Sequence, residues 1–126
     1  MLYFILILIN NLILNMKVEI NKKVPNFKVS VTGKSELNSK DLLGKKVVIY
    51  FYPKDNTPGC TTEGENFRDL YPQFKKLNTE IFGVSRESIK SHEGFIEKYK
   101  FPFELISDPE ESLSLIHISE PTRQEA

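Results

Sequence analysis

Phe27, Val29 and Val31 alternate with Lys28 and Ser30, which is the two-residue period of a half-buried strand. Thr32-Gly33-Lys34 supplies a turn, and Glu36-Leu37 begins a short return strand, so a β-hairpin is predicted here. Ser39 is placed to cap a brief helical turn through Leu42-Leu43 that Gly44 ends. Val47 to Tyr52 is a continuous β-branched and aromatic run. Such a run suits a strand covered on both faces, as in a parallel sheet.

After a loop that carries Cys60, a helix is predicted from about Thr61 to Leu77, with Phe67, Leu70, Tyr71, Phe74 and Leu77 as its apolar face. Pro72 lies within that span and predicts a kink or break. A strand over Ile81–Ser85 follows, then a helix capped near Ser88 that carries Ile89, Phe95, Ile96 and Tyr99. A last strand covers Phe103–Ile106 and stops at the turn Ser107-Asp108-Pro109. Strand–helix–strand–helix–strand implies parallel pairing with right-handed crossovers. The expectation is one α/β domain without repeats, its sheet sandwiched between helices.

The two ends differ from this middle. Leu2 to Leu14 is almost wholly apolar and is interrupted by Asn10 and Asn11. It is shorter than the roughly 20 residues of a membrane-spanning helix, and no Lys or Arg precedes Lys17 as a secretory signal requires. Residues 1–15 therefore read as an extension before a natural start at Met16, with a weak signal or anchor as the alternative. The domain proper is placed at 16–112. Beyond it, LSLIHISEPTR resembles the translation of a sequencing-adapter read-through, so 113–126 is taken as a foreign tail. The alternative is a short edge strand over Leu113–Ile118. Neither His117 nor Arg123 is given a chemical role.

Composition narrows the function. The chain has 126 residues, with 17 Lys plus Arg against 17 Asp plus Glu, so its formal net charge is zero. That balance offers neither a nucleic-acid groove nor a polybasic membrane patch. An apolar fraction of 40% with nine Phe and five Tyr suffices for a core. The single cysteine excludes an internal disulfide and a cysteine-rich zinc site. What remains is either an inert buried thiol or a reactive one.

The stretch Pro53-Lys54-Asp55-Asn56-Thr57-Pro58-Gly59-Cys60-Thr61-Thr62-Glu63 joins a buried strand to a helix. In open parallel sheets ligands sit there, outside the carboxyl ends of the strands. Unpaired N–H groups and the positive end of the helix dipole both favour the nucleophilic thiolate over the thiol. Thr57 can turn its hydroxyl toward the sulfur and an oxygen-rich substrate. Pro53 and Pro58 stiffen the loop, and Gly59 lets backbone approach the reacting atoms.

These residues resemble the peroxiredoxins, and within them the bacterioferritin-comigratory-protein or peroxiredoxin Q class. The pattern Pro-x-x-x-Thr-x-x-Cys is met by Pro53, Thr57 and Cys60, within FYPKDNTPGCTTE. Further matches are VPNF from Val24, FRD from Phe67, FGVS from Phe82, Ser91-His92, and SDPE from Ser107. The resemblance implies a thioredoxin-like fold, with an α/β/α sandwich and an N-terminal hairpin, left incomplete at the C-terminus. It implies that Cys60 is the peroxidatic nucleophile and that Thr57 hydrogen-bonds sulfur and substrate. Pro53 would shield the sulfenic acid, the Cys60 N–H would help bind peroxide, and Gly59 and Glu63 would be supporting residues. No cofactor or metal is implied. A cytoplasmic monomer is expected, with export or membrane association through residues 1–15 as the alternative.

Two departures change that expectation. Many members of the class carry a second cysteine five positions after the first, where this chain has Glu65. The sulfenic acid would then be reduced by thioredoxin, glutaredoxin or a small thiol, with over-oxidation as a hazard. The family's active-site arginine belongs to a strand beyond the third, a region absent here, and neither Arg68 nor Arg86 matches it by position. Absence of that region would also leave the Val47–Tyr52 strand as a bare apolar edge. Rival readings are a non-catalytic truncated fragment and a thioredoxin-type disulfide oxidoreductase, although the latter needs the C-x-x-C that is lacking here. His92 reads as a helix-surface or packing residue, and Asp108, Glu110 and Glu111 as a solvated turn.

Overall fold

The computed structural model describes the backbone of residues 3–8 and all of residues 26–113. Its strands are β1 (Tyr3–Leu8), β2 (Lys28–Val31), β3 (Lys34–Asn38), β4 (Lys46–Phe51), β5 (Thr79–Ser85) and β6 (Glu104–Ser107). Two helices, α1 (Pro58–Lys76) and α2 (Ile89–Tyr99), and a 3-10 turn over Ser39–Leu42 complete it. The sheet order is β1-β4-β5-β6-β2-β3. β4, β5 and β6 pair in parallel, whereas β2 runs antiparallel to both β6 and β3. The thioredoxin-like α/β architecture expected from the chain is therefore present.

Alternation along β4 explains the uninterrupted apolar run. Val47, Ile49 and Phe51 point into one core cluster and Val48, Tyr50 and Tyr52 into another, so both faces of the strand are covered. β4, β5 and β6 advance across the sheet in one direction, so successive crossovers put α1 and α2 over the same face. The other face is closed by Phe27, Leu37, Leu42 and Leu113.

Several local expectations are corrected. The cap of the 3-10 turn is Asn38, whose side chain accepts from Lys40 N at 3.0 Å. Ser39 instead faces inward and accepts from Phe27 N at 3.0 Å. α1 begins a turn earlier than predicted because Pro58 fits the first helical position, where its missing N–H is no loss. Pro72 does not end α1. It lies on the exposed side, where water can satisfy the carbonyl whose helical partner is lost. Leu70 and Leu77 are exposed rather than packed. The inner stripe is Cys60, Gly64, Phe67, Tyr71 and Phe74, because Gly64 brings α1 against the ring of Phe101.

The expected bare edge of β4 is covered: β1 pairs with it in parallel from Tyr3 opposite Lys46 to Leu8 opposite Phe51. The segment read as a dispensable extension or anchor thus contains a sheet strand. Ser112 and Leu113 are helical, not a strand, and Leu113 is wholly buried. Asp108 is no solvated turn residue. It is buried and accepts from Ser112 N at 3.0 Å, Ser112 Oγ at 2.9 Å and Leu113 N at 3.0 Å. The remaining tail, with His117 and Arg123, lies outside the described residues, as do Val24 and Pro25 of VPNF.

Candidate active site

β4 ends at Phe51, and its chain leaves the sheet through Tyr52 and Pro53 to reach α1 at Pro58. Thr57 is the N-cap with extended backbone (φ −82°, ψ 150°), so Cys60 is the third helical residue. The first intrahelical bond runs from Thr61 N to Thr57 O at 2.8 Å. The N–H groups of Gly59 and Cys60 therefore have no acceptor among the described residues, as the first turn of a helix dictates. Cys60 is a free thiol, 6% exposed, set against Tyr50, Tyr52 and Phe67. Its sulfur thus sits at the carboxyl end of the parallel strands, on the floor of the surface rather than on top of it.

Thr57 does not donate to Cys60 in this state. Its hydroxyl donates to Lys54 O at 3.1 Å, which closes the loop on itself. Pro53 and Gly59 are exposed, and a Cβ placed on Gly59 would meet nothing within 4 Å, so the space over the first turn is open. Glu63 is half-buried and forms no ion pair among the described residues. Its charge adds to burial, the larger cause, in pushing the Tyr50 hydroxyl far up from its ordinary value. Tyr50 Oη and Thr61 Oγ1 are buried without hydrogen-bond partners.

The arginines are engaged elsewhere. Arg68 donates to Tyr99 O at 2.9 Å and pairs with Asp69 at 3.0 Å and Glu65 at 3.7 Å, while Arg86 pairs with Glu111 at 3.6 Å. Neither is offered to Cys60.

Sequence reasoning missed a buried polar network under the loop. Asp55 is 5% exposed and accepts from Tyr52 Oη at 2.6 Å and Ser91 Oγ at 2.7 Å; His92 Nδ1 lies 2.8 Å from the same carboxylate. Burial alone would raise the pKa of Asp55, but bonds to His92, Tyr52 and Ser91 outweigh it and hold the carboxyl below its usual value. His92 is completely buried, which leaves the packing side of its expected helix-surface or packing role. The signal available was its spacing from Phe95, Ile96 and Tyr99, which puts it on the inner face of α2.

Comparison with known proteins decides the family. The AhpC/TSA family pattern matches residues 20–115. The chain is a peroxiredoxin of the AhpC/TSA family. Within it, the similarity is to the Bcp or peroxiredoxin Q class. The putative peroxiredoxin bcp of Coxiella burnetii is 43% identical over 98 residues, which are 78% of this chain and 65% of that one. A solved structure of Xanthomonas campestris peroxiredoxin Q shares 46% identity with a TM-score of 0.70, covering 72% of this chain and 58% of that one. A yeast mitochondrial 1-Cys peroxiredoxin shares 34% identity with a TM-score of 0.71, covering 79% of this chain and 50% of that one. The peroxiredoxin chain thus spans between half and two thirds of the length of these relatives. Among its described residues no helix is long and apolar enough to cross a membrane.

Proposed function

We propose that this chain is a thiol-dependent peroxidase acting on hydrogen peroxide and organic hydroperoxides through Cys60. The observation that carries this reading is the cysteine at the third position of α1, beside two N–H groups without acceptors among the described residues and beneath open space over Gly59. The Cys60 thiolate attacks one peroxide oxygen. An S–O bond forms as the O–O bond breaks, and the leaving oxygen departs as hydroxide or alkoxide and takes a proton from solvent. The Cys60 N–H faces the developing negative charge. Thr57 joins it by exchanging Lys54 O for the sulfur and substrate, since its hydroxyl has one proton to give. Pro53 shields the resulting sulfenic acid, and Gly59 and Glu63 support the first turn.

Cys60 is the only cysteine of this sequence, so the cycle proposed is of the one-cysteine type. An external thiol condenses with the sulfenic acid, releasing water, and a second thiol frees Cys60 from the mixed disulfide. The similar yeast protein is described as a 1-Cys peroxiredoxin whose thiol is resolved via glutathione/thioredoxin systems. Thioredoxin, glutaredoxin or a small thiol fills that role here, for a cytoplasmic monomer. With Arg68 and Arg86 engaged elsewhere, neither described arginine serves as a cationic donor at Cys60, and a site without such a donor turns over on the order of 10²–10³-fold more slowly than one that has it. The test is stopped-flow peroxide decay with dithiothreitol. Loss of turnover in Cys60→Ser and a large decrease in Thr57→Val are expected; turnover retained in Cys60→Ser refutes the reading. No decay with the unaltered chain leaves the non-catalytic fragment.

A further inference from the structure

His92 Nε2 lies 3.0 Å from the backbone carbonyl oxygen of Ile106, an atom that can only accept, so Nε2 carries a proton. On the other side of the ring, Nδ1 lies 2.8 Å from Asp55 Oδ2. That carboxylate already accepts from the Tyr52 and Ser91 hydroxyls. Those bonds and the His92 contact outweigh burial and hold the Asp55 carboxyl below its usual value, so at neutral pH it is ionised and has no hydrogen to give, and the Nδ1 contact requires a second ring proton. Tyr52 Oη, 3.4 Å from Nδ1, spends its hydrogen on Asp55 at 2.6 Å and supplies none. The ring is wholly buried, so no bulk solvent competes for either nitrogen.

We infer that His92 is a doubly protonated positioning residue that ties the Cys60 loop to the sheet through a buried imidazolium–carboxylate pair. Asp55 lies midway between Pro53 and Thr57, in the loop that sets where α1 begins. One side of the imidazolium holds that loop and the other holds the end of β6, so the ring spans two elements that the backbone ladder does not join. Charge-assisted bonds of this kind are about twice as strong as neutral ones. The ring itself is wholly buried, with the Tyr52 ring beyond the end of β4 at 6.2 Å between centroids. The role deepens the peroxidase reading and rests on it only for its catalytic consequence: His92 never touches peroxide but holds the geometry in which Thr57 and Cys60 meet it.

Two measurements test this separately from peroxidase activity. In protein labelled with ¹⁵N-histidine, the ring that exchanges slowly with solvent should show both nitrogens protonated at neutral pH; a neutral tautomer overturns the assignment. In His92→Gln, which can reach only one of the two partners, amide exchange at residues 54–57 should rise while that of β5 stays unchanged. The second-order rate of Cys60 oxidation by hydrogen peroxide should then fall about 10- to 100-fold, the scale of a small misplacement of reacting groups. Alkylation of Cys60 by iodoacetamide, which needs no oriented O–O bond, should change by less than about threefold on the same argument. Equal losses in both reactions, or unchanged loop exchange, would reduce His92 to core packing. If the unaltered protein consumes no peroxide, the peroxidase reading falls while the nitrogen spectrum and loop exchange still decide the ion pair. Should His92→Gln fail to fold, the spectrum of the unaltered protein decides alone.

Discussion

Gly64 and Phe101 meet so closely that a methyl group on the glycine would stand 2.4 Å from ring atom Cζ. The ring cannot retreat, because Phe95 lies edge-on at 4.9 Å and Phe103 stacks on it at 5.2 Å. This contact sets the height of α1 over the sheet, one helical turn from Cys60. Gly64→Ala should therefore destabilise the fold by about 1–3 kcal/mol through overpacking, despite the roughly 1 kcal/mol that alanine gains as a helix former. Urea unfolding measures it. In a Phe101→Leu background the same change should become neutral or stabilising, and an equal loss in both backgrounds would remove the clash as the cause.

Asp55 supplies a dependence on acid. Its folded pKa is depressed by bonds to His92, Tyr52 and Ser91, which outweigh burial. A depressed folded value means that the unfolded chain takes up the proton first as pH falls. The stabilisation is complete above the unfolded value of about 3.9 and is lost as pH drops through the lower folded value. Asp55→Asn should lose about 1–3 kcal/mol at neutral pH, the scale of bonds to a charged group, and should flatten the acid limb below about pH 4. Thermal melts from pH 7 to pH 2 check both. An acid limb of unchanged steepness in Asp55→Asn would assign that limb to other carboxylates.

Removing residues 1–15 should unmask β4. β1 occupies the outer edge of β4 along its whole length, and an apolar strand stripped of its neighbour presents unpaired N–H and C=O groups to other chains. The shortened protein is expected to self-associate in a concentration-dependent way by light scattering, at concentrations where the full chain does not. Identical scattering and melting for both chains would show that β1 contributes nothing to the edge.

Much of this was legible because it is local. The Val47–Tyr52 run announces a strand covered on both faces, and Ser88 caps α2 as its position predicts, accepting from Ser91 N at 3.1 Å. The loop Pro53 to Cys60 marks the candidate site from its residues alone. What escaped depends on contacts distant in the chain. Leu70 and Leu77 have the right helical spacing to be buried, but Gly64 against Phe101 turns another stripe inward. Asp55 looks like any loop carboxylate until Tyr52, Ser91 and His92 converge on it, the last two from about 36 residues further on. Pairing of β1 with β4 likewise joins segments more than forty residues apart, and no periodicity in either one announces it.

Thr57 offers the sharpest separation of stability from chemistry. Its hydroxyl donates to Lys54 O at 3.1 Å in the resting loop, and the proposed reaction needs that same proton at the sulfur and the peroxide. Thr57→Ser keeps the hydroxyl and should retain oxidation of Cys60 within about threefold, because its donor can still reach the reacting atoms. Thr57→Val keeps the shape but removes the donor. It should lose about 0.5–1.5 kcal/mol of stability, the value of one ordinary hydrogen bond, yet its oxidation rate should fall on the order of 10²–10³-fold, as when a preorganised donor to the transition state is deleted. The stability loss is too small to unfold the site, so the rate loss would have to arise in the transition state itself. Urea midpoints and single-turnover trapping of the sulfenic acid, measured on the same samples, compare the two. Rates that track stability alone, with valine no slower than serine, would confine the hydroxyl to closing the loop on Lys54.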